Sequence, residues 1–369
     1  RRGNGYRLLS PMVALPSAGC RREPDAQARM LHEQARAIIR GTHASRDESL
    51  RFLDEALRID PQFAQARAYR ALLLAGSVPL SGASSHVLEQ AQREAMLALD
   101  IDPDLPDAHA ALGMVRAERR QWVDADAHFA TATGLAPGNP FVMNLHALTV
   151  LRPSGRLEAA RVVHEQCHSL APADGFSLHE LVLTHSLLGN DAEALRFLHL
   201  GQTLSGLDES PWDLGIALSR AAARRGDIAA ATRLAAAAMP PPLKQPATAQ
   251  LIGHCHAALS GEAGVRMALE RLDGFLPSLA ADGVDRRTRA YFVTLLAGLG
   301  GPDAAFELLD RLLFDSPHPL GVELGDLWMP EMDRFREEPR FAVLMQRLGL
   351  EEYWRRCGGP DVDPASRAR

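Results

Sequence analysis

Apolar and polar positions along the chain fall into a phrase that recurs. "ALRIDPQFAQA" (56–66), "ALDIDPDLPDA" (98–108), "ATGLAPGNP" (132–140) and "CHSLAPADG" (167–175) each run from an apolar stretch with helical spacing through a proline into a fresh start. Each predicts the end of one helix and the beginning of another, because proline lacks the backbone donor a helix interior needs. Pro61, Pro103, Pro137 and Pro172 are spaced by 42, 34 and 35 residues. The longer interval contains "GSVPLSGASSH" (76–86), which predicts an extra loop. Weaker copies follow at 187–198, 222–234 and 296–313, each reading helix, polar or glycine turn, helix. The pattern predicts about seven helical hairpins between residues 25 and 313, with a register past Pro172 that is open by a few residues.

A period near 34 is the length of the tetratricopeptide repeat, and the middle unit resembles it most closely. Leu112 and Gly113 stand in its first helix, Ala125, Phe129 and Ala132 in its second, and Pro137 after them. Small residues at the crossing points let two antiparallel helices approach, a large ring fills the space beyond, and proline stops the second helix. The resemblance implies an all-α superhelical solenoid of antiparallel helix pairs. It also implies a concave face lined by first-helix positions that point away from the partner helix: Asp107, Ala110, Met114, Phe141, Asn144, Leu148, Phe176, His179 and Leu183. Phe141, Asn144, Phe176 and His179 are the contacts expected to hold a protein, a peptide or a small-molecule effector, since a repeat does not need them for its own packing.

Composition agrees with helices. Hydrophobic residues make up 46% of the 369 positions but aromatics only 5%, and the Ala and Leu that dominate are the best helix formers. Net charge is −6; the first 22 residues hold five arginines and no acid, so the remainder carries −11. Such a body does not bind nucleic acid or anionic membrane by bulk electrostatics. The cysteines Cys20, Cys167, Cys255 and Cys357 lie far apart, which predicts buried thiols in a reducing cytoplasm and no disulfide framework. No apolar run reaches the 18 residues of a membrane span, and the signal-like "LLSPMVALPSAGC" (8–20) is broken by two prolines.

Three stretches suggest chemistry. His164, Glu165 and His168 spell H-E-x-x-H, in which two imidazoles on one helix face share a zinc ion and the carboxylate activates its water. Counting back from Pro172, however, assigns Ala160 to a small position of a second helix, His164 to the bulky packing position and Cys167 to the next small one, with Glu165 and His168 toward the outside. No third-ligand motif follows, so a packed helix without metal or cofactor is the expectation and a zinc peptidase the alternative. His254, Cys255 and His256 are adjacent and do not converge on a helix. "AGLGGPDAAF" (297–306) lacks a full phosphate-loop pattern and predicts an inter-helix turn.

The two ends carry further resemblances. "LWMPEMDRFREEPRFAVLMQRLGLEEYWRRCGGPD" (327–361) resembles the terminal segment after the repeats in bacterial proteins whose first module is a winged-helix domain, a TolB-like segment or a class III nucleotide cyclase. Within it Phe341, Leu344, Met345 and Leu348 form a stripe expected to cap the solenoid. "RRGNGYRLLSP" (1–11) resembles the last hairpin of a response-regulator type winged helix, which implies DNA-backbone contacts by Arg1, Arg2 and Arg7. The expected organisation is a wing remnant at 1–11, a linker at 12–24, the solenoid at 25–315, a capping segment at 316–357 and a disordered tail at 358–369. The chain has no initiator Met, so its start is expected to be a cut edge, with DNA binding dependent on an upstream domain.

Overall fold

The computed structural model describes residues 22–38, 43–81, 85–205, 212–261, 264–280, 283–315 and 321–362. Arg1, Arg2, Arg7 and the stretch 8–20 lie outside these residues, as do 363–369.

Helices follow one another in pairs: α1 (Ala26–Ile38) with α2 (His43–Ile59), α3 (Ala64–Ser81) with α4 (Ser85–Ile101), α5 (Pro106–Glu118) with α6 (Trp122–Leu135), and α7 (Pro140–His146) with α8 (Leu157–Leu170). They continue as α9 (Gly175–Leu188) with α10 (Asp191–Ser205), α11 (Trp212–Arg224) with α12 (Ile228–Ala238), α13 (Pro246–Leu259) with α14 (Val265–Phe275), and α15 (Arg286–Gly298) with α16 (Pro302–Asp310). This is an all-α solenoid of tetratricopeptide type. Eight pairs stand among the described residues where the phrase predicted seven. The pair missed is α13–α14, which opens after a 3-10 turn at Pro241–Leu243 and closes on another at Leu276–Ala280, so neither junction repeats the proline phrase.

In α5 and α6 the repeat positions behave as their sizes dictate. Ala125, Phe129 and Ala132 are fully buried, and a Cβ added at Gly113 would sit 2.8 Å from the Phe129 ring, so this crossing requires glycine. Of the stretch 76–86 predicted as a loop, residues 76–81 and 85–86 are helical, and 82–84 lie outside the described residues. The helical residues lengthen α3 and α4 to 18 and 17 residues, against 13 and 14 in α5 and α6, because helix satisfies the added backbone groups internally.

After α16 the chain turns back. Residues 321–332 run through 3-10 turns at Val322–Trp328 and Pro330–Met332, followed by α17 (Asp333–Arg336), α18 (Pro339–Arg347) and α19 (Leu350–Cys357). Phe341, Leu344, Met345 and Leu348 are buried. Phe335 stacks on Phe306 of α16 at 4.2 Å, while Arg340 and Arg347 pair with Asp303 and Asp310 of that helix. The segment then reaches beyond the last repeat. Trp122 Nε1 donates to the Leu348 carbonyl at 2.7 Å, Trp328 Nε1 to Pro153 at 3.0 Å and Trp354 Nε1 to Ser154 at 2.9 Å. It is a strap tying α16 to the repeats around α6, α7 and α8, and more than an end cap.

The expected disordered tail also needs correction. Asp361 accepts from the backbone N–H groups of Glu158 and Ala159, both at 2.9 Å, and so caps the start of α8, while Val362 is buried.

Candidate binding groove

The strap engages the C-terminal ends of α7, α9 and α11 and runs along α15 from Arg286 at its N-terminal end. At the end of α7 a π-turn spans Ala147–Leu151, and this wide turn brings Arg152 inward, where it pairs with Glu180 of α9 in the interior. Burial alone would raise the Glu180 carboxyl; Arg152 and His179 outweigh it and hold it down at about 2. Farther along, Arg286 of α15 reaches Glu323 at 3.0 Å, Arg220 of α11 reaches Asp326 at 3.0 Å, and Arg224 holds Glu331 at 2.6 Å together with Asp191 at 2.7 Å. Three carboxylates of one strap segment thus meet arginines on two inner helices. None of these arginines was selected from the sequence. The available signal was the "SRAAARRG" end of α11, more basic than helix packing requires.

The residues expected on the concave face differ in what they leave open. Phe141 and Phe176 meet with ring centroids 5.8 Å apart and are partly exposed at the N-terminal ends of α7 and α9. His179 is partly buried, its Nδ1 3.3 Å from Glu180, and Leu148 is partly buried in the π-turn. Asp107 is committed to Arg36 of α1 at 2.6 Å. Ala110, Met114 and Leu183 are core residues, and the Met114 methyl packs over Gly76.

Asn144 is the clearest correction. It is fully buried, accepting from His164 Nδ1 at 2.7 Å and donating to Ser177 Oγ at 2.8 Å, which in turn donates to Asp174 at 2.6 Å. Its amide is therefore spent on joining α7, α8 and α9, and no face remains for a ligand. A buried amide is retained when all of its bonds are made internally.

The same chain of bonds accounts for the zinc-like motif. His164 is fully buried, and burial pushes its pKa down to about 3. Glu165 bonds to Arg161 at 2.7 Å, and His168 stands edge-on to Phe197. In the second cluster His256 bonds inward to Tyr291 at 3.0 Å, whereas His254 faces Arg271 on the other side. Among the described residues no three His, Cys, Asp or Glu side chains are grouped to hold a metal ion, and no helix is long and apolar enough to cross a membrane. Cys167 and Cys255 are buried free thiols, and Cys357 is partly exposed.

No protein-family profile matches the chain, and no curated protein matches it. Among solved structures, PilF of Pseudomonas aeruginosa is 20% identical over 58% of this chain and 92% of its own, with a TM-score of 0.42. PilW, described as a widely conserved type IV pilus biogenesis factor, is 18% identical over 57% and 91%, also at 0.42. A variant of MamA is 14% identical over 48% and 95%, at 0.30. These likenesses are partial; the fold rests on the helix pairs themselves.

Proposed function

We propose that the chain is a non-catalytic protein- or peptide-binding scaffold, the sensor region of a bacterial cytoplasmic transcriptional regulator that reaches DNA through an upstream winged-helix module. One observation carries the scaffold reading. The strap takes the C-terminal ends of α7, α9 and α11, while Phe141 and Phe176 stay partly exposed and in ring contact at the N-terminal ends of α7 and α9. Aromatic anchors of this kind dominate interface energetics. His179 lies on the same inner helix as Phe176, and a peptide is the occupant this rim suits. The regulator reading draws on the order of a wing-like start, a repeat array and the terminal segment. A nucleotide-cyclase or TolB-like module upstream would suit the same terminal segment, and the upstream coding sequence distinguishes these contexts.

The scaffold reading is tested by selecting peptides from a displayed library and measuring their affinity for the chain and for a Phe141→Ala, Phe176→Ala double variant. At least a tenfold loss with the cooperative melting transition retained supports it. Selected peptides indifferent to that change, but lost on altering exposed Met96 and Leu97 of α4, would move the site to the outer face. DNA binding is tested separately at physiological salt, where even a complete module binds non-specifically only at about 10⁻⁴ to 10⁻⁶ M. Residues 1–369 should show no sequence-selective binding, and restoring the upstream residues should create it; nanomolar selective binding by the present chain would contradict the assignment.

A further inference from the structure

Where the strap crosses α11, α13 and α15 it walls a half-open cavity of about 290 Å³. Its walls are Arg220 and Arg224 from α11, His256 and Leu259 from α13, Tyr291 and Leu295 from α15, with Met329 and Glu331 of the strap closing one side. Most of its polar groups are already satisfied. Arg224 is spent on Asp191, Glu331 and the Ser186 carbonyl. The Tyr291 hydroxyl bonds His256 Nε2, and Thr294 donates to a backbone carbonyl.

Arg220 is different. Its side chain is only 10% exposed, yet among the described residues it donates one bond, from Nη2 to Asp326 at 3.0 Å. The other guanidinium N–H groups have no protein acceptor there. A cation desolvated to this degree with an unused donor edge is a preformed anchor for a planar anion. Asp191, Asp326 and Glu331 outnumber Arg220 and Arg224 here, so a dianion such as phosphate would be strongly repelled, and a single carboxylate is held by the directional donors of the open Arg220 edge, not by net charge. Leu259, Leu295 and Met329 offer hydrocarbon to the rest of the molecule. The volume lies at the lower edge of ligand sites, about 300 Å³, and limits that body to a few carbons or one ring.

We propose that this cavity binds a small organic carboxylate with a compact apolar body, its head on the open edge of Arg220 and its body against Leu259, Leu295 and Met329. Because Met329 and Glu331 belong to the strap, occupancy couples three consecutive repeats to the segment that ties the solenoid together. That consequence rests on the scaffold reading; binding itself does not.

Titrations of the full chain with 4-methylpentanoate and phenylacetate, followed by ligand-observed NMR and calorimetry, test the site, with 4-methylpentanamide as the neutral control. The acids should bind at millimolar concentration or below, and the amide at least tenfold more weakly. Arg220→Gln should remove the preference for the acid. Ala223→Trp, which fills the cavity from its wall without touching an ion pair, should abolish binding while preserving the melting transition. No binding by the wild-type chain, equal binding of acid and amide, or binding that survives Ala223→Trp would each overturn the proposal. Peptide affinity at Phe141 and Phe176 is measured independently, so failure of one reading leaves the other standing.

Discussion

The α5–α6 hairpin and the strap both bury large apolar residues, but they do so by different means. In the hairpin, partners are close in the chain: Gly113 and Phe129 meet across one turn. In the strap, partners are distant. Trp122 and Leu348 are 226 positions apart, Trp354 and Ser154 are 200 apart, and Arg224 and Glu331 are 107 apart. Distant closure costs more chain entropy, although only logarithmically. Directional groups, three indoles and three arginine–carboxylate pairs, fix where the strap lies. Periodic burial therefore builds the array, and particular donors and acceptors close it.

Acid separates the two regions with the largest expected effect. His32, His164 and His256 lie in α1, α8 and α13, and the strap has no histidine. Burial pushes their pKa values down to about 4, 3 and 4, with Arg36 adding to the effect at His32. The unfolded chain takes up these protons below about 6.5, while the folded chain refuses them until near 4. Stability is thus full above 6.5 and falls as pH drops through this window, by about 2 kcal/mol per histidine at pH 5 and about 6 kcal/mol in total. Urea midpoints at pH 7 and pH 5 check this; a flat profile would contradict it. Below the ordinary glutamate value of 4.5 the strap weakens in turn. Glu331 is buried, which alone would raise its pKa, but Arg224 holds it low, so its contribution is lost as it protonates.

Trp328→Ala comes next. The ring is 2% exposed, its indole serves the Pro153 carbonyl, and Gly155 approaches it so closely that an added Cβ would lie 2.7 Å away. The loss should be about 4 kcal/mol by chemical denaturation. A loss below about 1 kcal/mol, the range of surface changes, would mean that the strap is not part of the core.

How much could be read in advance follows the same division. The hairpins, the glycine crossing at Gly113, the buried ring of Phe129 and the packed His164 were legible, because each depends on spacing within about one repeat. The strap's return path was not, since periodicity in Phe341, Leu344, Met345 and Leu348 reports a buried face and not the surface that buries it. Asn144 was misread for a related reason. An amide on a first helix faces a groove only when no inner partner exists, and His164 and Ser177, 20 and 33 positions away, supply those partners. Phe141 and Phe176 meet ring to ring, a contact that no spacing announced, and Arg220 likewise had no pattern of its own.

Smaller effects refine the hairpin side. Ala125→Leu inserts volume at a fully buried crossing and should cost about 1–3 kcal/mol in urea unfolding, with little change in the strap. Indifference to it would mean that the crossing is looser than its burial indicates. Phe141→Ala, at a partly exposed site, should cost only about 1 kcal/mol or less. A larger loss would make this ring a packing residue and weaken its role as a contact.

The central claim is that the strap ties the last repeat to the repeats around α6, α7 and α8. Hydrogen exchange on a Trp354→Ala chain tests it most directly, because that change removes the 2.9 Å bond to Ser154 and leaves every repeat position intact. The account predicts that amides of α18, α19 and the 152–157 turn lose protection together while α1–α4 keep theirs. Loss confined to α19, with the 152–157 turn as protected as before, would contradict it.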